Sequence, residues 1–539
     1  MSRMISALGR SLALILLVAL SACATEPPTP TPTPAAALPT SEPFNGGTLI
    51  MALSARDPNT VDPALVGDTT SAFVVRQLFT GLVRLDNDLA VQPDIAASWQ
   101  ISADGRTYTF SLNPNARFAD GTPIRAADVA YSLERASDPA LGEYLPASTY
   151  LTDIVGVREK LAGDAQQISG LQVIDEMTIA ITIDASKQYF LSKLAHPTSF
   201  VVDRRQIEAD PDGWTERPNG SGAFVIGRWD HDERIRLDRN PNFYRDLAKL
   251  SHVRFELGPN ANNALIRYEE GELDLSGVPS YALDRVRDEN NPLSKQLLSV
   301  PQLAIQYIGM NVELPPFDDP KVREAFTLLI DRAKLADLSL AGSAVPARGI
   351  IPPGMPGFNP DLPEVAADLE RAKQLISESR YGGIENLPPI AAYGGGWSLT
   401  LREVAAEIGI TIEVRDYEDF GEYLAALDAK EFQLYDSGWY ADYPDPENFV
   451  DLLFRGGSAE NHTRYANPEV DRLLDAAATA SEPSERWSLY RQAEQQIIAD
   501  APVIPLYHDI EYMLVKPYVQ GLTVTPMGIL DLATVELVR

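Results

Sequence analysis

The chain has 539 residues, 45% of them hydrophobic, enough for several cores and long for a single domain. Acidic residues outnumber basic ones 76 to 45, and the formal charge of −31 argues against nucleic acid or an anionic lipid surface as a close partner. Cys23 is the only cysteine, which excludes an intramolecular disulfide.

The N-terminus reads as an export signal. Arg3 and Arg10 precede an apolar run over residues 12–20, and small residues follow, ending Leu20-Ser21-Ala22-Cys23. That run is about half the roughly 20 apolar residues a membrane span needs. Leu-Ser-Ala-Cys resembles the bacterial lipobox, which implies a signal peptide over 1–22, cleavage before Cys23 and diacylation of its sulfur. Acyl chains hold a protein at a bilayer at about 0.8 kcal/mol per buried methylene. Residues 25–40 read TEPPTPTPTPAAALPT and lack core-forming periodicity, so residues 23–44 form a tether. In the polyproline II form it spans on the order of 50 Å.

From about residue 45 the pattern alternates strands and helices. Tyr108, Phe110 and Leu112 alternate with polar neighbours, as do Ile179, Ile181 and Ile183, and both stretches read as half-buried strands. Asp104-Gly105 and Asp120-Gly121 read as turns before a helix near residues 127–136. Asp319-Pro320 opens a helix carrying Val322, Ala325, Phe326, Leu329 and Ile330. Asp368 caps another with Leu369, Ala372, Leu375 and Ile376. Asn467-Pro468 opens a third with Val470, Leu473, Leu474 and Ala477, and a fourth covers about 484–499. No repeat of 20–50 residues is visible, and the mixed order predicts an α/β body.

Catalytic and cofactor motifs are missing. The histidines are His196, His231, His252, His462 and His508, with none at metal-ligand spacing from another, so no metal site is expected. No Gly-x-Ser-x-Gly elbow occurs, and Gly394-Gly395-Gly396 lacks the lysine of a phosphate loop, which leaves it as a turn between strand and helix. Paired carboxylates remain the one catalytic route, a secreted hydrolase, although so many acids place such pairs together by chance.

Three stretches carry a more specific pattern. The first combines PDIAASW at 93–99, DGRTYTF at 104–110, FADGTP at 118–123 and ADVAYS at 127–132. The second is GSGAF at 220–224 with RNPNFY at 239–244, and the third is GWYADYPDPENF at 438–449. In order and spacing, from about Gly46 to the C-terminus, they resemble the family 5 solute-binding proteins, the oligopeptide- and dipeptide-binding lipoproteins of ABC transporters.

The resemblance implies the two-lobed periplasmic-binding-protein type II fold, with an extra subdomain in the first lobe and no enzymatic activity. Lobe 1 would comprise residues 45–301 with 502–539, the subdomain about 86–184, and lobe 2 residues 302–501. It implies a monomer at the cell envelope, held to the membrane only by its lipid, which captures a peptide and delivers it to permease subunits without a cofactor. Relatives bind peptides as an added strand, main chain to main chain. The segment from Val61-Asp62-Pro63 to Leu82 resembles the first-lobe strand and turn that form one edge, placing Gly67, Asp68 and Thr69 against the ligand. Gly438, Trp439 and Tyr440 form the other edge, and Asp442 takes the position that pairs with the peptide's free amino group. Phe420 falls where a relative has an aromatic wall.

Plainer readings stand beside these. Asp442 also suits a cap on the turn before Pro444, Trp439 and Tyr440 suit a core, and Phe420 suits helix packing. Asp436 departs from the family pattern, since some oligopeptide binders carry a basic residue there that helps neutralise a ligand carboxylate. The family also binds oligosaccharides, nickel complexes and other small solutes, so these remain alternatives to peptide.

Overall fold

The computed structural model describes residues 46–142, 145–417, 420–429 and 432–538. The signal segment, Cys23 and the tether lie outside the described residues.

Sixteen strands position the site. β1 (Thr48–Ser54) opens the first half. β2 (Ala96–Ile101), β3 (Thr107–Leu112), β4 (Leu171–Asp175) and β5 (Thr178–Thr182) form a separate antiparallel sheet in the order β2-β3-β5-β4. β6 (Phe224–Asp230), β7 (Arg234–Arg239), β8 (His252–Leu257), β9 (Leu275–Gly277) and β10 (Leu297–Pro301) complete that half. The second half supplies β11 (Ala304–Met310), β12 (Ala344–Pro346), β13 (Ile390–Tyr393), β14 (Ile412–Arg415) and β15 (Leu434–Tyr440), and the long β16 (Val503–Val515) follows. A twelve-stranded sheet runs β14-β13-β15-β11-β16-β9-β1-β8-β7-β6, with β10 and β12 also paired to β16.

β16 ties the halves together. Its first residues pair antiparallel with β11, Gly309 opposite Val503, and its last with β9, Leu275 opposite Val515. β10 leads through Gln302 and Leu303 into β11, so two chain runs pass between the halves along the same ladder. Separate cores back each half. One gathers Leu49, Val74, Phe224, Phe255 and Leu532, and a second, under the small sheet, gathers Phe110, Phe118, Ile181 and Phe190. In the other half, Phe449, Val470 and Tyr490 belong to one core and Phe317, Phe326, Ile376 and Leu401 to another.

Local rules account for most elements. Tyr108, Phe110 and Leu112 are buried on one face of β3, and the turn before it holds Gly105 at φ +70°, a conformation glycine adopts without strain. Among the helices are α1 (Thr69–Leu78), α2 (Ala126–Ala136), α3 (Pro320–Thr327), α4 (Leu369–Glu378), α5 (Trp397–Glu407), α6 (Phe420–Asp428), α7 (Glu447–Phe454), α8 (Pro468–Thr479) and α9 (Pro483–Asp500). Asp319, Asp368 and Asn467 cap α3, α4 and α8 by accepting from the backbone N–H of Lys321, Arg371 and Glu469. α3 is shorter than its apolar stripe. Leu329 and Ile330 stay buried beyond its end, because Asp331 caps a new turn through the Lys334 N–H.

Glu494 on α9 is fully buried, and its Oε1 accepts from the N–H groups of Ile350 and Ile351 at 2.7 and 2.8 Å. Burial pushes its pKa up to about 7, against an ordinary 4.5. A carboxyl raised in the folded state favours folding most while protonated, so its contribution falls as pH rises from about 5 through 7. Glu494→Gln keeps the acceptor and removes the titration. Urea unfolding from pH 5 to 8 should show the wild type losing roughly 2–3 kcal/mol relative to the variant.

Candidate functional site

The site begins at an unfinished edge of β15. On one side β15 pairs with β11 along its whole length, from Leu434 opposite Met310 to Tyr440 opposite Ala304. On the other side β13 covers only Leu434 and Tyr435. Among the described residues no strand pairs with this edge from Asp436 to Tyr440, which leaves peptide groups available to an added strand. A Cβ at Gly438 would collide with the end of the Gln306 side chain on β11 and push it aside. Tyr440 is 42% exposed, and its hydroxyl donates to Asp509 Oδ2 at 3.0 Å. Trp439 is half-buried, and its Nε1 donates to Asn448 Oδ1 at 3.1 Å.

Asn448, buried on α7, also fixes Asp442. Its Oδ1 accepts from the Asp442 backbone N–H at 2.9 Å, and its Nδ2 donates to Asp442 Oδ2 at 3.2 Å. The other oxygen of Asp442 lies 4.0 Å from His196 Nε2, and 23% of the side chain stays exposed. Burial pushes the Asp442 pKa up to about 6, despite lowering by Asn448, the Tyr150 hydroxyl and the positive charge of Arg76. His196 stacks on Tyr150 with ring centroids 3.7 Å apart. Burial and Arg76 hold it well below the usual imidazole range, so it is neutral at pH 7. Asp442 therefore sits in a pocket built by both halves, with Arg76, Tyr150 and His196 from one and Asn448 and Glu460 from the other.

The same two halves meet around this pocket. Thr149 Oγ1 donates to Glu460 Oε1 at 3.2 Å, and Tyr150, Tyr189 and Tyr443 are buried together. Lys193 Nζ lies 2.9 Å from Asp153 and 3.8 Å from Glu447. Glu447 is raised to about 7, chiefly by burial, with Lys193 opposing. On the other side of the turn Arg486 grips Asp445 with two hydrogen bonds of 2.6 Å. Removing the shared cation leaves buried carboxylates short of a partner. Lys193→Met should destabilise the protein by about 3–5 kcal/mol in urea unfolding, with much of the loss recovered by adding Glu447→Gln.

Other expected residues land differently. Val61–Leu82 carries no strand ahead of the helix. Asp62 caps a 3₁₀ turn over Pro63–Leu65, and Asp68 caps α1, accepting from the Ser71 N–H at 2.8 Å and from Asn59 Nδ2 at 3.1 Å. Gly67 and Thr69 are exposed, and among the described residues neither is hydrogen-bonded to β15. The link from α1 to Asp442 is made by Arg76 instead. Phe420 opens α6, and its side chain lies outside the described part. Asp436 lies inside β15 rather than before it, and its carboxylate caps α5, accepting from the N–H groups of Gly396, Trp397 and Ser398 at 2.8–3.0 Å. Its charge is thus met by a helix N-terminus. Asp436→Ala should cost about 1–2 kcal/mol, read as a lowered urea midpoint.

A cavity of about 770 Å³ is bounded by the end of β1, Phe73 of α1, Tyr281, Ser343 and the β16 acids Asp509 and Glu511, the first of which also accepts from the Tyr440 hydroxyl. Spacing arguments missed Arg76, Tyr150, His196, Asn448 and these two acids. One signal was present: Asp509 and Glu511 stand two apart in an otherwise apolar run, which puts both on one face of a strand. Among the described residues no cluster of three or more potential ligands is arranged to hold a metal ion, and no helix is long and apolar enough to cross a membrane.

Two lobes sharing one strand, with an open strand edge and a fixed carboxylate at their junction, define a solute-binding protein. Residues 90–461 match the profile of the bacterial extracellular solute-binding proteins, family 5, and the chain belongs to that family. It is 32% identical to the probable deoxycholate-binding periplasmic protein of Escherichia coli, covering 90% of this chain and 93% of that one. The periplasmic oligopeptide-binding protein of E. coli is 28% identical over 86% of this chain and 87% of its own. The solved E. coli murein tripeptide binding protein superposes with a TM-score of 0.80 at 25% identity, covering 92% of this chain and 99% of that one. The fold is thus the two-lobed type II binding-protein fold with its extra first-lobe subdomain, and family members are substrate-binding proteins.

Proposed function

We propose that this protein is the extracytoplasmic substrate-binding lipoprotein of an ABC importer, which captures oligopeptides between two hinged lobes and delivers them to the membrane permease. The observation that carries this reading is the free edge of β15 over Asp436–Tyr440, ending at the fixed carboxylate of Asp442. A peptide laid along that edge gains main-chain hydrogen bonds without regard to its side chains, and its ammonium meets Asp442. The relatives named for oligopeptide and murein tripeptide binding support peptide as the ligand class. Lobe 1 is assigned residues 45–301 with 502–539, with its subdomain at about 86–184, and lobe 2 residues 302–501. The protein acts as a monomer, anchored through Cys23 at the outer face of the cytoplasmic membrane or in the periplasm.

A second reading keeps the transport role for another small solute. The relative named as probably deoxycholate-binding favours it. A steroid acid has no amine, so its capture would not need Asp442.

Both readings meet one experiment. Calorimetry on the full chain should show free-amine tripeptides bound and their N-acetylated forms bound weakly, with Asp442→Ala abolishing free-amine binding. Because the carboxylate is the pairing form and its pKa is about 6, affinity should rise from pH 5 to 7 and stay flat in Asp442→Asn. Equal binding of both peptide forms to Asp442→Ala and wild type would remove the assigned role. Deoxycholate binding without peptide binding would favour the second reading.

A further inference from the structure

We propose that the cavity walled by the end of β1 and the middle of β16 receives the positive group of a basic peptide, a lysine or arginine side chain, with Asp509 and Glu511 as its counter-charges. This rests on the peptide-capture reading for the ligand class and adds a preference within it.

Charge accounting carries the proposal. Asp509 and Glu511 alternate along β16, so both face the cavity, and they are the charged groups in its wall. Among the described residues no lysine, arginine or histidine lines it. Asp509 is held by neutral donors, Gln306 Nε2 at 2.9 Å and the Tyr440 hydroxyl at 3.0 Å. The Glu511 carboxylate has no cation and no hydrogen-bond partner among the described residues, although its backbone is paired with β10. Burial raises both carboxyls, and the charge of Asp509 raises Glu511 further. The nearby guanidinium of Arg287 is committed to the carbonyls of Ala341 and Gly342 at 3.0 Å. Asp442, by contrast, already lies in the field of Arg76.

Two like charges in a half-buried wall repel one another, and a ligand cation between them relieves that repulsion while gaining charge-assisted hydrogen bonds. The rest of the wall suits such a side chain. Phe73 and the 87% exposed Tyr281 offer ring faces to an aliphatic stem and a cationic head, whereas the Tyr512 ring is already covered by Arg287 at 4.4 Å. A volume of about 770 Å³ holds a long side chain with room for its neighbours. The net charge of −31 adds a long-range pull on cations.

The test compares Ala-Lys-Ala with its norleucine isostere by calorimetry on the full chain, with spermidine as a non-peptide cation. Wild type should bind the lysine peptide at least about tenfold tighter than the isostere. Glu511→Gln should reduce that ratio, and Asp509→Asn/Glu511→Gln should bring it to about one, with unchanged near-UV circular dichroism as the folding control. An equal affinity for both peptides in wild type, or a ratio that survives the double variant, overturns the proposal. If neither peptide binds but spermidine does and the double variant loses it, the peptide reading fails while the acid pair stands as a cation site. If no cation binds, the acid pair is overturned as well.

Discussion

Val503–Val515 is hydrogen-bonded to β11 and β12 at its start and to β9 and β10 at its end, so one strand belongs to the ladders of both lobes. A ladder fixes register: sliding by one residue would turn every inward side chain outward. The lobes are thereby denied translation along this strand. Departures from regular pairing gather where β10 gives way to β11, with a shift at Gln306/Tyr307 opposite the middle of β16. Gln302 N–H donates to the Asp509 carbonyl at 2.9 Å, and His508 Nδ1 meets the Ala304 carbonyl at 2.8 Å, so this irregular stretch is still satisfied. The candidate cleft sits beside it, and side chains from both lobes reach Asp442.

Electrostatics at the junction differ from the overall acidity of the chain. Lys193 and Arg486 are nearly inaccessible, and each is matched to carboxylates within hydrogen-bonding range. Pairs of this kind gain little net stability against an apolar replacement, because desolvation offsets their attraction, but they are intolerant of losing one member. Lys193, between Asp153 and Glu447, joins residues 149–196 to residues 442–486, whereas the Arg486–Asp445 pair braces the second stretch alone. Asp442, with its side chain fixed by Asn448, stays partly exposed and so remains reachable.

Much of the body was legible in the sequence because its rules are local. The caps at Asp319, Asp368 and Asn467, the turns at Gly105 and Gly121 and the alternation in β3 all act within a few residues. The stripe over 320–330 over-extended its helix because burial continues past the point where Asp331 starts a new turn. The site was less legible. Asp442 and β15 came from a motif, whereas Arg76, Tyr150 and His196 reach Asp442 through pairings between distant segments, to which periodicity is blind. Asp436 looked like a departure in charge because the three N–H groups that donate to its carboxylate lie at the start of a helix about forty residues earlier.

Gln306 stands opposite Gly438 on one side and Tyr507 on the other, and its amide reaches past Tyr507 to donate to Asp509 on the same strand. The amide lies where a methyl on Gly438 would go, so the vacancy left by the smallest residue is what lets it reach across. Enlarging that residue by one carbon would evict the amide and strip Asp509 of one of its two donors. The bareness of a backbone position thus governs how an acid two strands away is held, without any contact between them.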